Sequence, residues 1–158
     1  MAKQRLMTAM DTKQMLVMLY PDLKVTESDT PVEQGENAIF GTYIDDDDVP
    51  VSVCAVDWAF AANMGSALTM VPPQTAAAAA ESGQFSDIVM GNVREVFNIL
   101  SRVYMDGSSP HLRFAEVRVS RGELAASELP VIEGCAARLD MEFTVPDYGS
   151  GKCSLITL

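Results

Sequence analysis

The sequence is poor in positive charge. Lysine and arginine together number 11, against 22 aspartates and glutamates, which gives a formal net charge of −11 at pH 7. Nucleic-acid binding needs clustered lysines and arginines that neutralise phosphates, and an anionic membrane surface attracts the same residues. We therefore expect neither nucleic acid nor a membrane as a partner.

Cysteine and histidine are also scarce. The three cysteines, Cys54, Cys135 and Cys153, are widely spaced, and no CxxC pair is present. This pattern predicts no zinc site, so we expect reduced, mostly buried thiols and no metal or cofactor on this chain. His111 is the only histidine. Because the sequence shows no nucleophile or orienting acid beside it, we expect a surface residue at the end of a strand.

Long apolar runs are missing as well. No apolar stretch approaches the ~20 residues of a membrane helix. Asp11 and Lys13 interrupt any apolar region that would follow Lys3 and Arg5. We therefore expect a cytoplasmic protein without a signal peptide. The length of 158 residues and the hydrophobic content of 48% suit one globular domain, 1–158, with a substantial core.

The acidic run 45–48 consists of four consecutive aspartates. A calcium-binding EF-hand loop alternates its ligands, has a central glycine and ends on a glutamate. The run has none of these features, and four adjacent carboxylates repel one another. We interpret it as a hairpin loop in water rather than as a metal site.

The spacing of apolar residues predicts an α+β protein with a mainly antiparallel sheet. Segment 122–128 is expected to be a loop or a helical turn, and 106–110 a loop. The expected strands are 23–26, 37–44, 49–56, 112–119, 135–145 and 152–158, and the expected helices are about 5–20, 58–70, 74–81 and 84–105.

The first predicted helix is rich in methionine. Met10, Met15 and Met18 lie on a broad apolar face that also includes Leu6 and Val17. Methionine suits irregular packing, so this face is either core or a partner surface, and core is the preferred interpretation.

The stretch from Gln84 to Met105 has the clearest helix pattern in the sequence. Its apolar residues recur at the i, i+3, i+4, i+7 spacing of one helix face, and Ser86 or Asp87 can begin the helix. At ~1.5 Å per residue the helix is expected to be roughly 30 Å long. The opposite face brings together Gly91, Glu95, Asn98 and Arg102.

Glu95-Val96-Phe97-Asn98 matches an E-x-x-N signature. With it, the order of predicted elements resembles the CheC/CheX/FliY family of chemotaxis phosphatases over nearly the whole chain. CheC-type proteins carry two such motifs and this chain one, so the single-site CheX type is the closest match. The fuller family pattern has Asp or Ser four residues before the Glu, where this chain has Gly91. A downstream proline of the CheC-type pattern has no clear match, since Arg121 falls near its place.

The resemblance implies a phosphatase for the aspartyl phosphate of a CheY-like response regulator, in chemotaxis or two-component signalling. Asn98 would position the attacking water, and Glu95 would pair with the regulator's active-site lysine. Mg²⁺ is expected in the regulator and no cofactor on this chain. Gly91, Arg94 and Arg102 complete the expected partner-binding face. Gly91 either leaves room for a partner's backbone or marks a protein that binds without catalysing.

A second interpretation is a non-catalytic binding or scaffold protein on the same fold. It would be favoured if Glu95 or Asn98 were buried, or paired with Arg94 or Arg102. A small-molecule enzyme has little support, because no phosphate loop, nucleotide fingerprint or nucleophile elbow is present. We also expect a homodimer, because CheX-like proteins dimerise and the strand at 152–158 is expected to offer an exposed edge.

Overall fold

The computed structural model describes residue 6 and residues 8–33, 35–104 and 111–158. Within this part of the chain, six antiparallel strands form one sheet in the order β1-β5-β6-β3-β2-β4. The strands are β1 (Lys24–Glu27), β2 (Ala38–Ile44), β3 (Pro50–Asp57), β4 (Arg113–Arg118), β5 (Ala137–Val145) and β6 (Gly149–Thr157).

Helices accompany the sheet, so the predicted α+β class is confirmed. A 3-10 turn at Ser101–Tyr104 continues the longest helix, and another covers Arg121–Glu123. The α-helices of the described residues are α1 (Ala9–Leu16), α2 (Trp58–Ala67), α3 (Pro73–Ser82), α4 (Asp87–Leu100) and α5 (Leu129–Gly134).

The two faces of the sheet bury separate apolar clusters. The larger one packs α2 and α4 on one face and includes Val93, Phe97 and Leu155. The smaller one packs α5 on the other face and includes Phe40 and Val131. Because side chains alternate along a strand, the central strands contribute apolar residues to both clusters.

Strand β2 sets the depth of α4 on the sheet. A side chain at Gly41 would place its Cβ 2.8 Å from the ring of Phe97, so only glycine lets the helix approach this closely. The hydroxyl of Tyr43 donates to the Phe97 carbonyl oxygen at 2.6 Å. The outer face of α4 is therefore held at a fixed distance from the sheet.

Strand β6 is not an edge strand, and the prediction for 152–158 is wrong in this respect. It pairs with β5 on one side and with β3 on the other. The edges of the sheet are β1 and β4. Residues 153–157 are all buried, which is the signature of a strand covered on both faces and flanked on both sides.

Helix α1 is shorter than the predicted 5–20, of which residues 5 and 7 lie outside the described residues. Thr8 and Asp11 form a capping box, which starts the helix at Ala9. With this start the helix buries Ala9, Thr12 and Leu16. Met10 and Met18, assigned to the core from the sequence, are exposed instead.

Helix α2 ends at Ala67, before the predicted end at residue 70. The Val71 N–H donates to the Ser66 carbonyl oxygen at 2.9 Å, and the Met70 N–H donates to that of Ala67 at 3.3 Å. This is the Schellman arrangement, in which one residue adopts a left-handed conformation. Here that residue is Met70, with φ 58°.

Two further differences lie in the C-terminal third. Helix α5 was not predicted. The loop or helical turn expected at 122–128 is observed in part as a 3-10 turn at 121–123. The β5–β6 turn is shorter than expected, because Asp147 and Gly149 both take positive φ values and reverse the chain quickly. The loop predicted at 106–110 lies outside the described residues.

The cysteines and the histidine lie largely where the sequence predicts. Cys54 and Cys153 are buried with their Sγ atoms 3.4 Å apart, and both are free thiols. His111 is exposed just before β4, and its Nδ1 lies 3.1 Å from Asp46 Oδ1 in the acidic hairpin loop. Among the described residues, no helix is both long enough and apolar enough to cross a bilayer.

Candidate functional site

Helix α4 carries four of the predicted site residues, Gly91, Arg94, Glu95 and Asn98, and Arg102 lies in the 3-10 turn that continues the helix. Its first turn is capped by the Ser86 hydroxyl, which accepts from the Val89 N–H at 3.3 Å, and Asp87 follows. The observed helix, with its 3-10 turn, covers 87–104 of the predicted 84–105, and Met105 is outside the described residues. The predicted apolar face is confirmed, since it buries Val89, Val93, Val96, Phe97 and Leu100.

The opposite face of α4 is open to solvent. Gly91, Glu95 and Asn98 are all exposed. Glu95 and Asn98 are three residues apart, so their side chains are neighbours on the helix surface. Within the described residues, neither side chain makes a hydrogen bond or an ion pair. The pairing with Arg94 or Arg102 that would favour a purely binding role is not observed.

Gly91 lies one turn before Glu95 on the same face. A Cβ atom built at this position meets no atom within 4 Å. No contact of the described residues therefore requires glycine here, and a Cβ atom fits without displacing anything.

Arg94 and Arg102 differ from the other arginines of the described residues. Both are exposed and lack an ion-pair partner there. The chain has twice as many acidic as basic residues, yet two guanidinium groups, one in α4 and one in the 3-10 turn after it, form no ion pair with the described residues. The four arginines with partners pair as Arg113 with Asp48, Arg118 with Glu128, Arg121 with Glu133 and Arg138 with Asp140.

Asn92 fixes α4 to the end of α2, a role that sequence analysis missed. Its Nδ2 atom donates to the Gly65 carbonyl oxygen at 2.7 Å and to Thr69 Oγ1 at 3.0 Å. A Cβ at Gly65 would lie 2.8 Å from Val89 Cγ1 and 2.9 Å from the Val89 carbonyl oxygen. The two helices therefore meet with a glycine between them.

Two apolar residues beside this junction were also missed. Ile88 is 63% exposed in the first turn of α4, and Met70 is 85% exposed after α2. For Ile88 a signal was available, because it lies seven residues before Glu95 and therefore on the same polar side of the predicted helix. For Met70 there was none, because its exposure depends on where α2 ends.

The chemistry of the exposed pair follows from its functional groups. The Glu95 carboxylate can accept from a cationic group, and the Asn98 amide can both donate to and accept from a water molecule. Among the described residues, no group of three or more histidine, cysteine, aspartate or glutamate side chains is arranged to hold a metal ion. Both side chains are therefore available for hydrogen bonds to another molecule.

Comparison with known proteins identifies the fold. No protein-family model matches the chain, and neither does any curated protein. Solved structures match over almost its full length. FliM from H. pylori, in a complex with SpeE, has a TM-score of 0.62 at 12% identity and covers 94% of this chain and 80% of its own.

Two further structures carry the names that the sequence suggested. FliY from Thermotoga maritima has a TM-score of 0.58 at 12% identity, covering 92% of this chain and 81% of its own. CheX from Borrelia burgdorferi, in a complex with CheY, BeF3 and Mg²⁺, has a TM-score of 0.51 at 11% identity, covering 92% and 91%. The chain therefore has the α+β fold shared by FliM, FliY and CheX, as its resemblance to the CheC/CheX/FliY family predicts.

Proposed function

We propose that this protein is a CheX-like phosphatase that acts on the aspartyl phosphate of a CheY-like response regulator. The observation that supports this most directly is the exposed pair Glu95 and Asn98, which has no partner among the described residues. The fold shared with a CheX that is found in a complex with CheY agrees with this choice of partner.

The proposed reaction is the hydrolysis of an acyl phosphate. A water oxygen forms a bond to phosphorus while the bond from phosphorus to the aspartate oxygen breaks. The carboxylate of the regulator leaves with the electron pair, and the protons of the water pass to phosphate and solvent. Positioning and electrostatic stabilisation supply most of the catalysis in such transfers.

The chain's own residues supply the positioning. The Asn98 amide holds the attacking water by donating one hydrogen bond to it and accepting another. The Glu95 carboxylate accepts from the regulator's active-site lysine and fixes the docked orientation. Mg²⁺ bound to the regulator neutralises charge on the phosphate, so this chain needs no cofactor.

The test is phosphate release from phosphorylated CheY-like regulators encoded in the same genome. We expect the protein to accelerate release and Asn98→Ala to reduce that acceleration by about 100-fold, because a misplaced reacting group can cost this much. Asn37→Ala, an exposed asparagine before β2, is the matched control and should behave as wild type. Circular dichroism verifies that each variant is folded. Wild-type rates in Asn98→Ala would overturn the catalytic role of the amide.

A non-catalytic binding protein on the same fold is the second candidate. Gly91 favours it, because this residue replaces the Asp or Ser of the fuller family pattern. The FliM with the similar fold is found in a complex with SpeE rather than with CheY. Tight binding to a regulator without accelerated phosphate release would select this alternative.

We also propose a cytoplasmic location and a homodimer. Strand β6 is paired on both sides, so dimerisation through the C-terminal strand is not part of this proposal. The edge strands β1 and β4 carry the unpaired backbone groups that another chain can use. A constant monomer mass in light scattering over a range of concentrations would contradict the dimer.

A further inference from the structure

We propose that Ile88 and Met70 form an apolar anchor that docks against the response regulator beside Glu95 and Asn98. The identity of the partner rests on the proposed function: it is a protein that carries an aspartyl phosphate and Mg²⁺. The evidence for the anchor is the exposure of its two residues and their position relative to α4.

The spacing along α4 places Ile88 on the same side of the helix as Glu95 of the proposed catalytic pair. Asn92 lies four residues after Ile88 and three residues before Glu95, so the three side chains follow one another along the same side of α4. Ile88 is 63% exposed, although the same helix buries five apolar residues on its other face. A partner that reaches Glu95 along the helix also meets Ile88.

Met70 directly follows a residue that is hydrogen-bonded to this side of α4. Asn92 donates a hydrogen bond to Thr69 Oγ1 at 3.0 Å, and Thr69 directly precedes Met70. Met70 is 85% exposed. A methionine side chain is flexible and polarisable, and such side chains adapt well to a partner's apolar surface.

Met70 combines a left-handed backbone conformation with an exposed side chain. With φ 58°, it occupies the left-handed position of a Schellman motif, which glycine adopts without steric cost. Because the side chain is exposed, burial within the described residues does not offset that cost. A large apolar group at this position is best explained by contact with another molecule.

Two arginines, one in α4 and one in the 3-10 turn after it, indicate an anionic partner. Arg94 and Arg102 are the arginines of the described residues that make no ion pair there. Guanidinium groups match the geometry of carboxylate and phosphate oxygens. The chain as a whole is acidic, so an acidic partner is not attracted at long range, and short-range apolar contacts must supply affinity. The anchor provides such contacts.

The experiment measures the dissociation constant for CheY-like regulators from the same genome, each activated with beryllofluoride and Mg²⁺. The variants are Ile88→Ser and Met70→Gly. The matched control is Leu158→Ser, an apolar residue that is 40% exposed and packs beside Gly134 of α5, on the opposite face of the sheet. We expect both anchor variants to weaken binding about tenfold, equivalent to about 1.4 kcal/mol, and the control to bind as wild type.

Thermal unfolding of the same variants separates docking from folding. We expect Met70→Gly to raise the melting temperature of the free protein while it weakens binding, because glycine relieves the left-handed strain. A merely structural role for Met70 predicts that stability and binding fall together, and this result would overturn the inference.

The outcomes also distinguish the anchor from the proposed function. Weaker binding in both variants, with no phosphate release stimulated by wild type, would retain the anchor and overturn the phosphatase. Stimulated release with an unchanged KM in both variants would overturn the anchor and retain the phosphatase. Failure of wild type to bind any of the regulators would overturn both.

Discussion

Gly91 is a residue whose effects on stability and on activity can be separated. A glycine inside a helix costs about 1 kcal/mol relative to alanine, because the unfolded chain loses more conformational freedom. The site is exposed, and a Cβ there touches nothing within 4 Å. We expect Gly91→Ala to raise the free energy of unfolding by about 1 kcal/mol, as measured by urea denaturation. An unchanged or lower value would contradict the open surroundings of this position.

The same residue tests the departure from the family pattern. Gly91→Asp places a carboxylate one turn before Glu95, as the fuller pattern has it, and we expect faster phosphate release than with Gly91→Ala. The alanine variant controls for the gain in helix stability. Equal rates in the two variants would show that the residue at this position does not set activity.

The exposure of single residues could be predicted only for a helix whose apolar stripe is clear in the sequence. The 100° turn per residue placed Gly91, Glu95 and Asn98 opposite a strong apolar stripe, and all three are exposed. The phase of α1 was misjudged, because its buried face consists of Ala9, Thr12 and Leu16, of which only Leu16 is a large apolar residue, so the methionines suggested the wrong face. The unpaired state of Arg94 depends on distant carboxylates, and sequence spacing does not reveal it.

The contact between α2 and α4 gives the next prediction. Gly65 lies where the helices meet, and a Cβ there would come within 2.9 Å of the Val89 carbonyl oxygen, which belongs to the rigid backbone. Gly65→Ala must push the helices apart, so we expect it to lower the free energy of unfolding by about 1–3 kcal/mol. Gly91→Ala is the matched control, because it makes the same substitution on the open side of α4. Equal stability changes in the two variants would contradict the close helix contact.

Elements with a long periodic pattern of apolar residues could be predicted from the sequence. The short helix α5 and the central position of β6 in the sheet could not. Helix α4 has a strong apolar stripe, whereas α5 has six residues and includes Pro130, which suggests a loop although proline is tolerated in a first turn. The order of strands is a tertiary property. The apolar content of 153–157 indicates a buried strand, but not that β3 lies beside β6.

At the level of the whole molecule, three of the four tyrosines make the stability of the fold depend on pH. Tyr20, Tyr43 and Tyr104 are buried, and their hydroxyls donate to backbone carbonyl oxygens at 2.6–2.8 Å. Burial raises the pKa of all three hydroxyls, because the phenolate form cannot be solvated in the core. Two of them join separate parts of the fold: Tyr20 reaches α2 from the segment after α1, and Tyr43 reaches α4 from β2.

The sign of the resulting pH dependence can be worked out. In the unfolded chain these tyrosines ionise near their ordinary pKa of about 10, whereas in the fold they stay neutral. Above that pH the unfolded state binds fewer protons than the folded state, so stability is full below about pH 10 and falls as the pH rises further. We expect the tyrosinate absorbance of the three residues to appear together with the loss of far-ultraviolet circular dichroism, in one alkaline transition. Tyr43→Phe removes one ionising group and should make the decline of stability with pH less steep. Ionisation of three or more tyrosines near pH 10 in a protein that keeps its circular dichroism would contradict their burial in a common core.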